Sequence, residues 1–135
     1  MPRHARRQHK HWTARLRERG SVSLETAVVM PAILTLMFLG MQGALLYQGR
    51  TTALAAAQEG ARVAAGENSS TSAGIAAAQS FAGSSTMALE EAQVSGNRTA
   101  AEATITVSIR TASVIPGWNP TVTQTASMPV ERITG

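Results

Sequence analysis

Residues 26–49, TAVVMPAILTLMFLGMQGALLYQG, form a run of 24 residues without a charge, flanked by Glu25 and Arg50. Within its core, residues 27–47, Thr35 and Gln42 are the only clearly polar side chains. An α-helix rises about 1.5 Å per residue, so this core spans about 30 Å, the thickness of a bilayer's hydrocarbon layer. Because a helix of a soluble core is rarely apolar on every side over such a length, the run predicts a transmembrane helix.

Charge is divided unevenly along the 135 residues. Residues 1–20 hold seven Lys or Arg and one acid, a net of +6, whereas residues 21–135 hold five and seven, a net of −2. The positive-inside rule therefore predicts a single-pass protein of the cytoplasmic membrane, with its amino terminus inside and its carboxyl region outside. The overall charge of +4 belongs to a basic cytoplasmic leader, which we expect to be unstructured, and it does not indicate binding to nucleic acid.

A cleaved secretory signal peptide is the alternative interpretation of the amino-terminal region. The leader would then be its basic part, and Ala55–Ala57 would supply an A-x-A cleavage site. The apolar run is longer than the roughly 7–15 residues of such signals, which favours a retained membrane helix.

Beyond the apolar run, residues 51–65 contain no helix breaker except Gly60, so the membrane helix is expected to continue to residue 66. Small residues recur along it at a spacing of four, which predicts a surface for close helix packing, although alanine is also simply a good helix former. The residues of this stripe are Gly40, Ala44, Ala53, Ala57, Ala61 and Ala65, with Ala56, Gly60 and Ala64 beside them.

The remainder, residues 67–135, predicts a small extracytoplasmic α+β domain. A polar cluster at 66–72 ends the long helix, and residues 73–82 can form a short second helix. Apolar and polar residues then alternate, which predicts antiparallel strands at 89–94, 103–110 and 122–130, the last placed at a sheet edge by Pro129. With so little apolar bulk, this domain is expected to depend on the long helix and on neighbouring subunits.

The sequence gives little indication of a catalytic or metal-binding site. The chain has no cysteine, and its three histidines, His4, His9 and His11, all lie in the leader. Neither a nucleophile–base constellation nor a phosphate-binding loop is visible, so we expect no enzyme and no cofactor. Trp118, in the turn cluster Pro116–Pro120, is expected to anchor that turn by packing, and contact with a receptor is the alternative.

The junction before the apolar run combines a glycine and a carboxylate. The basic leader ends at Gly20, and Glu25 follows at the edge of the membrane helix. A carboxylate costs up to about 2.5–3.5 kcal/mol at the centre of a membrane helix and less near the interface, so Glu25 calls for a partner. It could also simply favour the positive end of the helix dipole.

This junction resembles that of type IV prepilins, in which a prepilin peptidase cuts after the glycine. The resemblance implies that Ser21 becomes the amino terminus and that Glu25, then the fifth residue, pairs with the free amine of a neighbouring subunit. The order of further residues resembles the TadE-like family of tight-adherence pilus proteins. That order is Gly20-Ser21, Leu24-Glu25, Ala27-Val28, Pro31, and later Ala57-Gln58-Glu59-Gly60-Ala61-Arg62 with Ala64-Ala65.

The family resemblance implies a non-catalytic pseudopilin or minor pilin, anchored in the bacterial inner membrane and active in pilus assembly. Implied partners are the lipid bilayer, other pilin subunits through helix packing that includes Pro31, and transiently the peptidase. The chain departs from the family pattern at Thr26, where an aromatic residue is usual, and at Gln42, where members often carry a glutamate. A plain single-pass anchor that presents a small binding domain is the alternative.

Overall fold

The computed structural model describes residues 10–85 and 90–132. Its elements are α1 (Lys10–Ala65), α2 (Thr71–Ser84), β1 (Glu90–Arg98), β2 (Glu102–Arg110) and β3 (Thr121–Pro129). The expected α+β class, with a long amino-terminal helix, a short helix and an antiparallel sheet, is confirmed. The chain divides into two units, of which the first ends at Gly40 and the second begins at Met41.

In the first unit, α1 begins at Lys10, eleven residues before the predicted start at residue 21. The expectation of an unstructured leader is therefore wrong for residues 10–20. Arg, Lys, Leu, Ala and Glu dominate this segment and are good helix formers, so Gly20 alone does not interrupt the helix. His4 and His9 lie outside the described residues.

Pro31 stands inside α1, where it lacks the amide that would bond to the preceding turn. The hydroxyl groups of this region bond within the helix. Thr26 Oγ1 donates to the carbonyl of Val22 and Thr35 Oγ1 to that of Pro31, both at 2.8 Å. These two side chains therefore present no unsatisfied hydroxyl to an apolar environment.

The second unit is built on an antiparallel sheet in the order β1-β2-β3. All three predicted strands are present. The first runs on to Arg98 rather than ending at Val94, and its predicted first residue, Leu89, lies outside the described residues. Strand β3 is an edge strand, as Pro129 predicts. Alternate residues of β2 are fully buried, and three of them are the largest fully buried apolar side chains among the described residues; the four are Ala103, Ile105, Val107 and Ile109.

Two helices cover the buried face of this sheet. α2 packs on β1 and β2, and the carboxyl-terminal part of α1 supplies six alanines to the same core: Ala53, Ala56, Ala57, Ala61, Ala64 and Ala65. Between the helices, Gly66 and Glu67–Ser70 form the predicted break, in which Asn68 adopts a positive φ of 57°. Ser70 caps α2 by accepting a hydrogen bond from the Ala73 amide.

The other face of the sheet is polar and carries no charge along its central rows. Three pairs of hydroxyl groups bridge β2 and β3 at 2.7–2.9 Å: Thr104 with Ser127, Thr106 with Thr125, and Ser108 with Thr123. Each pair joins residues that are directly opposite in the register. These cross-strand contacts fix the register that places the apolar residues towards the helices.

Candidate functional site

The residues of the junction lie within α1. Gly20 and Ser21 are helical, and Glu25 follows in the next turn with its side chain exposed. Between them and the second unit, the large apolar side chains from Val22 to Met41 are all exposed by 45% or more. A window of 18 residues within Val22–Ala65 has a mean hydropathy of 2.0 and no buried residue, so it is long and apolar enough to cross a membrane.

The predicted stripe of small residues divides into two parts. Ala57, Gly60, Ala61 and Ala65 are buried inside this chain, whereas Pro31, Gly40 and Ala44 are exposed. The part from Ala57 to Ala65 is therefore a helix-packing surface, and it packs against α2 and the sheet of this same chain. Within the predicted stripe, it is the part around Gly40 and Ala44 that has its small residues exposed.

The closest approach in the buried part is the crossing of α1 and α2 at Gly60 and Gly74. A Cβ atom added to Gly60 would lie 2.7 Å from the Gly74 carbonyl oxygen and 2.8 Å from Ala78 Cβ. One added to Gly74 would lie 2.5 Å from Ala64 Cβ and 2.6 Å from the Gly60 carbonyl oxygen. Because real Cβ atoms are not found at such distances from other heavy atoms, only glycine fits on both sides of the crossing.

The signature around Gly60 also contains an ion pair on the outer side of the helix. Arg62 Nη2 donates to Glu59 Oε1 at 2.6 Å and Arg62 Nε to Glu59 Oε2 at 3.0 Å. This bond lowers the pKa of the Glu59 carboxyl and raises the pKa of the Arg62 guanidinium. Since the Arg62 side chain is exposed and that of Glu59 is partly exposed, solvent screens the pair and it adds little to stability. Within the signature, Glu59 and Arg62 thus flank two buried residues, Gly60 and Ala61.

Gln42, one of the two clearly polar side chains of the apolar run, makes a contact that its sequence pattern did not predict. Its side chain is 5% exposed, and its Oε1 accepts hydrogen bonds from the Val114 amide at 2.9 Å and from Ser113 Oγ at 3.0 Å. Because a backbone amide can only donate, the Val114 contact fixes which side-chain atom is the oxygen. Nε2 has no hydrogen-bond partner among the residues that the structure describes. Gln42 therefore ties the segment after β2 to α1.

We expect Gln42→Met to weaken this attachment by about 1–3 kcal/mol, because it leaves the amide of the half-buried Val114 without its acceptor. Gln42→Glu keeps an oxygen in place and is expected to preserve the contact. Hydrogen exchange at the Val114 amide measures the effect directly, and Gln48→Met, at an exposed position of the same helix, is the matched control. Unchanged Val114 protection in Gln42→Met would contradict the contact.

The proposed signal-peptide cleavage site lies in the core of the second unit. Ala56 and Ala57 are fully buried in α1, and a methyl group on Gly49 would collide with Thr111 Cγ2. Removal of the first 57 residues would take Ala53, Ala56 and Ala57 out of this core. The structure thus counts against a secreted form that begins at Gln58.

Two further expectations concern side chains away from these sites. Trp118 is only partly covered, at 44% exposed, and the turn also has a hydrogen bond from the Trp118 amide to the Ile115 carbonyl. Within the described part of the chain, no cluster of three or more His, Asp or Glu could hold a metal ion.

Comparison with known proteins agrees with the order of these features. A family model described as TadE-like protein matches residues 20–62, from the glycine of the junction to the arginine of the signature. No curated protein matches significantly, nor does any solved structure. The TadE-like family is a structural family associated with tight-adherence pili. The resemblance is therefore confirmed over the segment that carries it, and residues 20–62 of this chain are similar to the TadE-like family.

Proposed function

We propose that the chain is a TadE-like pseudopilin or minor pilin, a structural membrane protein for assembly of a tight-adherence type IV pilus or a related secretion apparatus. A single helix anchors it in the cytoplasmic membrane, with the leader inside and the domain outside. One observation carries this proposal: a single family match covers the glycine junction, the exposed apolar helix and the Glu-Gly-Ala-Arg signature. It has no catalytic role in this proposal.

The helix has two groups through which it would contact other subunits. Glu25 is exposed on α1, as it must be to meet the amine of a neighbour. Gly40 is also open, since a Cβ atom added there meets nothing within 4 Å, and the same holds for Gly43. Small residues permit close approach of helices in a membrane, so the face around Gly40 and Ala44 is our proposed subunit contact.

Processing by a prepilin peptidase would separate the leader from the working protein. We expect the mature chain to begin at Ser21, since cleavage after Gly20 frees the amine that pairs with Glu25. Mass spectrometry of the amino terminus from membranes of the native bacterium tests this. Gly20→Leu is expected to retain the leader and to reduce assembly, and Gly83→Leu, at an open position of α2, is the size-matched control.

The other outcomes of this measurement are distinct. A chain that begins at Gln58 would contradict the pilus proposal and establish the secreted alternative. An intact leader on the assembled protein would contradict processing. An intact leader without pilus association would favour the plain membrane anchor that presents a binding domain.

A further inference from the structure

The segment between β2 and β3, residues 111–120 with the sequence TASVIPGWNP, is a well-defined loop without a charged residue. At its base, the Thr111 amide and hydroxyl both donate to the Pro120 carbonyl, at 2.9 Å and 3.0 Å. Near its tip, Ser113 Oγ accepts from the Ile115 amide at 3.0 Å, and Gly117 adopts a φ of 77°, which favours glycine. These contacts hold the tip in one conformation.

The tip of this loop exposes large apolar side chains. Ile115 is 43% and Trp118 is 44% exposed, and Pro116 and Gly117 between them are exposed as well. The uncharged sequence continues through β3, so that no charge occurs between Arg110 and Glu131. A turn that presents tryptophan and isoleucine together to the surroundings is a candidate for contact with an apolar or interfacial neighbour.

Gln42 determines where along α1 this tip lies. Its hydrogen bonds to Ser113 and Val114 hold the loop beside the helix at that residue. Gln42 is also the first residue after the run of exposed apolar side chains that ends at Met41. The loop is therefore attached where the segment suited to lipid ends.

Two neighbouring features of α1 fit a membrane surface at this level. Tyr47 is exposed and follows Gln42 by five residues, or about 7.5 Å along the helix. Arg50, also exposed, lies about 12 Å beyond Gln42 and can reach towards anionic headgroups. Tryptophan and tyrosine favour the boundary between hydrocarbon and headgroups, and Arg favours the phosphate layer.

We propose that the tip of the loop, Ile115–Trp118, inserts into the outer interface of the bilayer and forms a second membrane contact beside the helix. The inference rests on the membrane anchor of the proposed function. It adds that the exposed tip contacts a lipid surface. In this arrangement the transmembrane segment ends near Met41, and residues 42–47 of α1 lie in the interface with the loop.

Tryptophan fluorescence of the full chain in lipid vesicles tests this contact. The chain has two tryptophans, Trp12 and Trp118, so Trp12→Phe leaves Trp118 as the sole reporter. In vesicles of phosphatidylcholine and phosphatidylglycerol, lipids brominated at the shallow part of the acyl chain should quench its emission. Ile115→Ser should weaken that quenching and shift the emission to longer wavelength, because the tip then loses part of its apolar surface.

A second reporter distinguishes failure of the loop contact from failure of the anchor. Phe38→Trp, in a chain that also carries Trp12→Phe and Trp118→Phe, reports on the exposed apolar part of α1 and should be quenched by deep brominated lipids. If that reporter is quenched but Trp118 responds only to acrylamide in water, the loop proposal is overturned and the anchor stands. If neither responds to brominated lipid, both fail.

A protein neighbour would give another pattern. Trp118 would then be protected from both brominated lipid and acrylamide, and the protection would decrease as the protein is diluted in lipid. That result would overturn the lipid contact and assign the tip to a subunit interface. Quenching by brominated lipid that persists on dilution supports the contact.

Discussion

Gly60→Leu is expected to abolish the unfolding transition of the second unit, residues 41–135. The backbone of α2 lies where the new side chain must go, since even a Cβ atom would be 2.7 Å from the Gly74 carbonyl oxygen. Overpacking of this kind costs about 3 kcal/mol or more when rigid backbone cannot move aside. The core consists largely of alanine, so it has little apolar burial with which to offset that loss.

Denaturation by urea in detergent, followed by Trp118 fluorescence in the Trp12→Phe background, measures this effect. Gly60→Ala should give a smaller loss, because the gain in helix propensity of about 1 kcal/mol partly offsets the collision. Gly43→Leu is the size-matched control in α1, as nothing lies within 4 Å of a Cβ atom there, and Gly83→Ala is the open position in α2. A transition in Gly60→Leu at the denaturant concentration of the unchanged chain would contradict the helix crossing.

Glu25→Ala is expected to leave membrane insertion intact and to remove the protein from assembled pili. In the proposed assembly, the carboxylate and the amino terminus of a neighbouring subunit lie together in a medium of low dielectric. Each then relieves the desolvation of the other, and loss of one partner leaves a buried charge uncompensated. The effect is therefore expected on assembly and not on the fold of the second unit.

The protein content of sheared pili, compared with that of the membrane fraction, measures incorporation. Glu25→Gln removes the charge while keeping the size of the side chain and should fail in the same way, whereas Glu25→Asp should retain partial incorporation. Glu67→Ala is the control, because Glu67 is an exposed acid outside the helices. Normal incorporation of Glu25→Ala would exclude the proposed pairing.

Local sequence patterns predicted most of the fold. The alternation around Ile105 and Val107 specified β2, and the polar cluster after Ala65 specified the end of α1. The beginning of α1 was predicted eleven residues too late, because the charge pattern that marks a leader says nothing about helix propensity, and residues 10–19 are good helix formers.

The candidate sites were harder to predict where partners are distant in sequence. A stripe that contains Ala57 and Gly60 has the same spacing whether it packs against another subunit or against α2 of the same chain. The Gln42–Val114 bond joins residues 72 positions apart, and its donor is a backbone amide that no side-chain pattern reveals. A lone amide within an apolar helix was its one sequence signal, as such a group requires a partner.

The attachment of the loop at Gln42 has a consequence for the charge at the other end of the apolar run. If the domain rests on the outer surface at Gln42, then Glu25, 17 residues earlier in the same helix, is separated from Gln42 by about 25 Å of helix length. That length is slightly less than the thickness of the hydrocarbon layer, about 30 Å, so the Glu25 carboxylate would lie inside this layer and close to its inner boundary. The contact of the folded domain with the membrane surface would thus limit how deeply α1 inserts and would set the depth of the Glu25 carboxylate. Glu25 would then lie at the same depth in every subunit, where its partner can reach it.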